Sequence, residues 1–183
     1  DAAPRGRSCR GSGRRNRIGL TASGAAAGNG GNGIRITSSD KAGSQSTPSP
    51  LTIIQSNRIH NNTSAGVYLE TAAGNGHKIV GNSFDSNGGL GIDLEPSGVT
   101  ANDAMDGDSG PNGLQNHPVV ELVEQPSSSS LRITGSFNST PSTTFTIQLY
   151  AASSADPSGF GEGLDMLHSF SLSTNGSGGA SFD

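Results

Sequence analysis

The chain has 183 residues and a formal net charge of −4, with 30% apolar and 14% charged content, 28 glycines, 9 prolines and no Trp. This is poor material for a helical bundle and suits short strands separated by many turns. The lone cysteine, Cys9, excludes an intramolecular disulfide framework, and no run of 18 apolar residues exists, so no membrane span is expected.

The charge is unevenly placed. Residues 1–17 hold six arginines against Asp1, and the remainder carries five basic and fourteen acidic side chains. An Arg/Gly/Ser stretch without aromatics predicts a disordered basic arm over 1–17, with no nucleic-acid partner expected. It has no apolar h-region and so does not read as a signal peptide. With no starting Met, the chain reads as a fragment.

From Ile18 the pattern changes. Ile18-Gly19-Leu20-Thr21 predicts a short strand. Asn29-Gly30-Gly31-Asn32-Gly33-Ile34-Arg35-Ile36-Thr37 then sets out a theme: Asn and Gly turns, then apolar-x-apolar. The theme returns twice with an offset of 25 residues, Asn57 to Asn82, Ile59 to Phe84, Asn62 to Asn87, Gly66 to Gly91, Val67 to Ile92 and Leu69 to Leu94. Fixed-period self-similarity marks a solenoid. The apolar runs alternate with period two and are too short for helices. Coils at 29–37, 51–70 and 77–95 therefore predict a parallel β-helix over 18–98, with Asn57 stacked on Asn82 and Asn62 on Asn87. Gly33 precedes Gly66 by 33 residues, which places a longer loop at Ser38 to Pro50.

Residues 99–117 form a polar linker with little apolar content. Beyond Pro118, five alternating runs (Val119 to Val123, Leu131 to Phe137, Phe145 to Tyr150, Leu167 to Leu172 and Ala180 to Phe182) predict an antiparallel β-sandwich over 118–183. A sandwich normally has about seven strands, so this one is expected to be partial. The fold class is thus all-β: a short parallel β-helix followed by a small, incomplete sandwich.

Four pieces together resemble the bacterial exported right-handed parallel β-helix repeat proteins, of the pectate-lyase-like superfold. They are Gly28 to Ile34, the Asn57-Arg58-Ile59 coil, Gly89 to Leu94, and the segment running from Asn102-Asp103 through Asp106-Gly107-Asp108 and Gly110-Pro111-Asn112 to Gln115-Asn116-His117-Pro118. In that family such a segment joins the β-helix to a small sandwich. The resemblance implies an extracellular or cell-surface protein of a bacterium without an assigned reaction.

Two groups of residues could carry chemistry. Asp103, Asp106, Asp108 and Asn112 offer hard oxygen donors in a Gly-rich loop, the chemistry of a Ca²⁺ site. The other reading is a solvated loop that uses Asp and Asn for its turns. On the strand face, the 25-residue register sets Glu70 beside Glu95, and Asp93 under Tyr68 with Arg35 above. Carboxylates about 5–5.5 Å apart are the spacing of retaining glycosidases; the alternative is an ordinary outward polar face. Arg58, Lys78 and His60 are available to a lyase, and His60 and His77 are expected in solvent. Zinc is not expected from one Cys and four scattered His. The leading functional reading is a non-catalytic extracellular or cell-surface module, adhesin-like, contacting a polysaccharide or surface glycan. The alternatives are a polysaccharide hydrolase or lyase, and a gene fragment without a function of its own. The oligomeric state is left open.

Overall fold

The computed structural model describes residues 16–37, 52–152, 154 and 157–183. Most of the expected basic arm and the whole expected insertion lie outside these residues. No α-helix occurs among the described residues.

Eight short strands make three stacked coils. The first coil holds β1 (Arg17–Ile18) and β2 (Ile34–Ile36). The second holds β3 (Ile53–Gln55), β4 (Arg58–His60) and β5 (Val67–Leu69). The third holds β6 (Lys78–Val80), β7 (Ser83–Asp85) and β8 (Ile92–Leu94). Equivalent strands pair in parallel across coils and build three faces, ordered β1-β4-β7, β2-β5-β8 and β3-β6. The register is Ile59 on Phe84, Val67 on Ile92 and Leu69 on Leu94, which is the 25-residue offset. Ile34 lies on Val67, so the 33-residue offset holds for the first coil too.

Side chains that alternate inward stack in columns. Ile18, Ile59 and Phe84 form one, and Ile36, Leu69 and Leu94 another. Ile59, Val67 and Leu69 are wholly buried and centre the core, joined by Ile36, Ile54, Ala73 and Phe84. The coil corners must be tight. A Cβ at Gly66 would lie 2.6 Å from both the Gly91 carbonyl oxygen and Phe84 Cδ1, so only glycine fits there.

Two asparagine ladders bind the coils. In one, the backbone N–H and Nδ2 of Asn29 both donate to Asn62 Oδ1, and those of Asn62 both donate to Asn87 Oδ1. In the other, Asn16 donates to Asn57, and Asn57 donates twice to Asn82 Oδ1. The stacking of Asn57 on Asn82 and of Asn62 on Asn87 is as the repeat predicts. The left-handed backbone is not on these asparagines. It falls one residue earlier, on Ser56 and Gly81 and on Asn61 and Ser86, with φ between 56° and 61°. That turn points each ladder asparagine into the coil, where its amide replaces the missing backbone ladder.

After the last coil, residues 99–117 cross the end of the stack, and two antiparallel sheets follow. One is ordered β13-β10-β9, from β9 (Val119–Ser127), β10 (Ser130–Asn138) and β13 (Gly179–Phe182); the other pairs β11 (Thr144–Ala151) with β12 (Asp165–Ser173). The sheets face each other through Phe137 and Phe145, 5.0 Å apart edge to face, and Phe170 and Phe182, 5.6 Å apart.

Removing one rung tests the ladder. Asn62→Ala leaves the Asn29 donors without their acceptor and takes the Nδ2 donor from the buried Asn87 Oδ1, and is expected to lower stability by about 3 kcal/mol. Lys78→Ala, on an exposed side chain, should change it by less than about 0.5 kcal/mol. Urea unfolding followed by circular dichroism reads both.

Candidate functional site

The linker gathers three carboxylates. One oxygen from each of Asp103, Asp106 and Asp108 lies within 4.8 Å of the others. Local turns bring them together. Met105 and Asp106 both hold left-handed backbone, at φ 61° and 58°, a conformation that costs a non-glycine residue about 1–2 kcal/mol. The Asp106 side chain explains why the turn persists. Its Oδ1 accepts from the Asn116 backbone at 2.8 Å, and its Oδ2 accepts from Ser139 Oγ at 3.0 Å and Gln115 Nε2 at 3.2 Å. Asp103 accepts the Gly107 N–H on both oxygens. Met105 N–H donates to Asn138 Oδ1, so the turn is fastened to the end of β10.

Asp108 differs from the other two. Its Oδ1 is shielded from solvent and has no hydrogen-bond partner among the described residues. Desolvation, then the charges of Asp103 and Asp106, push its carboxyl above the ordinary value. A carboxylate oxygen so placed is able to take a proton or a cation.

Asn112, the fourth expected ligand, has a different task. Its Oδ1 accepts from the His77 backbone N–H and its Nδ2 donates to the His77 carbonyl, both at 2.9 Å. It clamps the linker onto the turn before β6. Ser139 and Gln115 instead close the acidic turn, and sequence reasoning missed both. Ser139 follows the end of β10, with no local signal that it meets the linker.

On the β2-β5-β8 face, each expected carboxylate already has a structural partner. Glu70 forms an ion pair with Arg35. Glu95 accepts the Thr71 backbone N–H, and that bond holds its carboxyl below the ordinary value. A general acid needs the opposite shift. Asp93 was expected on the outward polar face under Tyr68. It holds that register but is buried, its Oδ2 accepting from Ser97 Oγ at 2.9 Å and its Oδ1 from Gly98 N–H at 3.0 Å. The chain folds back over it as it leaves the last strand. Tyr68 remains between Arg35 and the acids, its hydroxyl pushed up by desolvation and then by Glu95, Asp93 and Glu70.

The histidines correct another expectation. His60 and His77 are not in solvent: both are buried. His60 Nε2 meets Ser83 Oγ at 3.0 Å, and His77 Nε2 donates to the Ala73 carbonyl at 2.9 Å. Arg58 and His60 share β4, whereas Lys78 lies on β6 in a different sheet. The three lyase candidates are therefore spread over two faces.

Residues 14–104 match the family model of the right-handed β-helix region. No curated protein and no solved structure matches the chain.

The raised carboxyl makes a pH prediction. Asp108 binds its proton more tightly folded than unfolded, so its contribution to stability is lost as pH rises through 3.8 and on to its raised value. In chelator, Asp108→Asn removes that loss. The variant should melt higher than the parent at pH 7, and the two should converge near pH 3.5, by calorimetry across that range.

Proposed function

Taking the right-handed β-helix repeat as the premise, we propose that the protein is a non-catalytic module of the cell surface or extracellular space of a bacterium. The β-helix is its contact surface, and Ca²⁺ fixes its linker. The observation that carries the non-catalytic reading is the state of the strand-face acids. Glu70, Asp93 and Glu95 are each committed to Arg35, to Ser97 and Gly98, or to Thr71. Glu95 is held below the ordinary carboxyl value by the Thr71 N–H, the opposite of what the general acid of glycoside hydrolysis requires. The face offers Tyr68 flanked by Arg35 and carboxylates, a surface that can stack a sugar ring and hydrogen-bond its hydroxyls.

Calcium suits the linker chemically. Ca²⁺ prefers carboxylate and carbonyl oxygens in flexible loops, and the trio supplies three carboxylates, one with an unpartnered oxygen. Asp103, Asp106 and Asp108 would hold the ion, and its charge would remove their mutual repulsion. Asp106 also reaches Ser139, so the ion would tie the linker to the sandwich.

Two measurements test the reading. Addition of 1 mM CaCl₂ to chelator-treated protein should raise the melting temperature, and Asp108→Asn should abolish the rise. Unchanged melting of the parent would remove calcium. On a polysaccharide panel, the protein should bind without releasing reducing ends or unsaturated products, and Tyr68→Ala should weaken binding about tenfold. Product release that Glu95→Gln abolishes would establish an enzyme instead.

A further inference from the structure

The strand face that carries Tyr68 also fixes the charge of what it can hold. Val67 and Leu69 are wholly buried, so Tyr68 between them points outward, half-buried, with Arg35 and Asp93 as its ladder partners on either side. Glu70 and Glu95 follow on the same side, each directly after its strand. One cation, Arg35, thus stands against three carboxylates, and it is taken by Glu70. Asp93 is held by the Ser97 hydroxyl and the Gly98 N–H, and Glu95 chiefly by the Thr71 N–H, all uncharged groups. Among the described residues neither Asp93 nor Glu95 has an ion pair.

The ring is therefore surrounded by more negative than positive charge. Its hydroxyl registers this: after desolvation, Glu95, Asp93 and Glu70 push it up. The segment 38–51 carries Asp40 and Lys41 and so adds no net charge. A metal ion does not answer the surplus, because among the described residues the carboxylates that converge closely enough for one are those of the linker trio. An acidic glycan would meet repulsion at the ring, and a neutral one would gain stacking alone. A sugar bearing an ammonium group gains twice. The ring face attracts the cation, and the ammonium N–H groups can donate to a carboxylate.

We propose that the glycan this face takes is one with free amino groups, its ammonium set against the Tyr68 ring and the Glu95 carboxylate. The proposal rests on the reading of this face as a glycan contact, and it narrows that reading to a cationic polymer. The whole chain is negative as well, at −4, so its long-range field draws such a polymer in and holds acidic ones off.

The test titrates the full chain by calorimetry at about pH 5.5, where Glu95 is ionised. Three oligosaccharide series of equal length are the probes: glucosamine oligomers with free amines, their N-acetylated forms, and oligogalacturonates. Only binding that Tyr68→Ala weakens is assigned to this face. The free-amine oligomers should bind about fivefold tighter than the N-acetylated ones, the galacturonates should not bind, and the preference should vanish at about 0.5 M salt. Glu95→Gln keeps an acceptor for the Thr71 N–H but loses the charge, so it should abolish the preference and leave N-acetylated binding unchanged. Arg35→Gln unpairs Glu70 and makes the face more negative, so it should tighten free-amine binding about twofold. Equal or tighter binding of the N-acetylated or galacturonate series overturns the amino-sugar class and leaves the glycan contact standing. Arg35→Gln that weakens free-amine binding overturns it too. If no series binds in a Tyr68-dependent way, the glycan contact itself falls, and this inference with it.

Discussion

Each coil must satisfy the backbone of the next, and the asparagine ladders are where that demand is met. A short strand supplies few ladder bonds, and at the corners the backbone N–H groups of Asn57 and Asn62 meet side-chain amides instead of carbonyls. An inward asparagine fills the gap. It accepts two donors from the coil before and gives two to the coil after, as Asn62 does between Asn29 and Asn87. The ladder is directional, so it must end on an acceptor. Glu162 provides it: its carboxylate accepts both the backbone N–H and the Nδ2 of Asn87.

That ending explains why the sandwich sits where it does. A solenoid needs a cap because its last coil exposes unpaired groups. The strand-edge N–H of Phe84 donates to the Gly163 carbonyl, and that of Gly81 donates to Gln148 Oε1. All three acceptors, Glu162, Gly163 and Gln148, belong to the sandwich. The linker covers another part of the same end, since Asn112 clamps His77 and its N–H donates to the Gly74 carbonyl. Helix, linker and sandwich are therefore joined by the same hydrogen-bonding requirement that holds the coils together.

The fold was legible because its signals are periodic. A 25-residue offset fixes which strand lies on which, and alternation fixes which side chain points inward. Both are local properties of the sequence, and they place Ile59 on Phe84 and Asn62 on Asn87 without further information. The site was legible only in part. The acidic residues of the linker are adjacent in sequence, so their clustering could be foreseen. Their partners are not adjacent. Ser139, which fastens Asp106, is 33 residues away, and Glu162, which ends the ladder, is 75 residues from Asn87. Such meetings depend on how the sandwich docks, and no periodicity encodes that. Asp93 illustrates the same limit. Its alternation places it outward correctly, yet the return of the chain at Ser97 and Gly98 buries it.

The junction between linker and sandwich holds together less by its own packing than the coils do. Three carboxylates within 4.8 Å repel one another by about 1 kcal/mol per pair even in the dielectric of water. The left-handed turn at Met105 and Asp106 adds its own cost. Against these stand a handful of hydrogen bonds and little apolar burial of the linker's own, since Met105 is exposed and within residues 99–117 Pro111 is the one buried apolar side chain. The coils, by contrast, rest on columns of buried Ile, Leu, Val and Phe. A unit positive charge near the trio would offset that mutual repulsion. The proposed cation would therefore act where the sandwich meets the cap of the last coil.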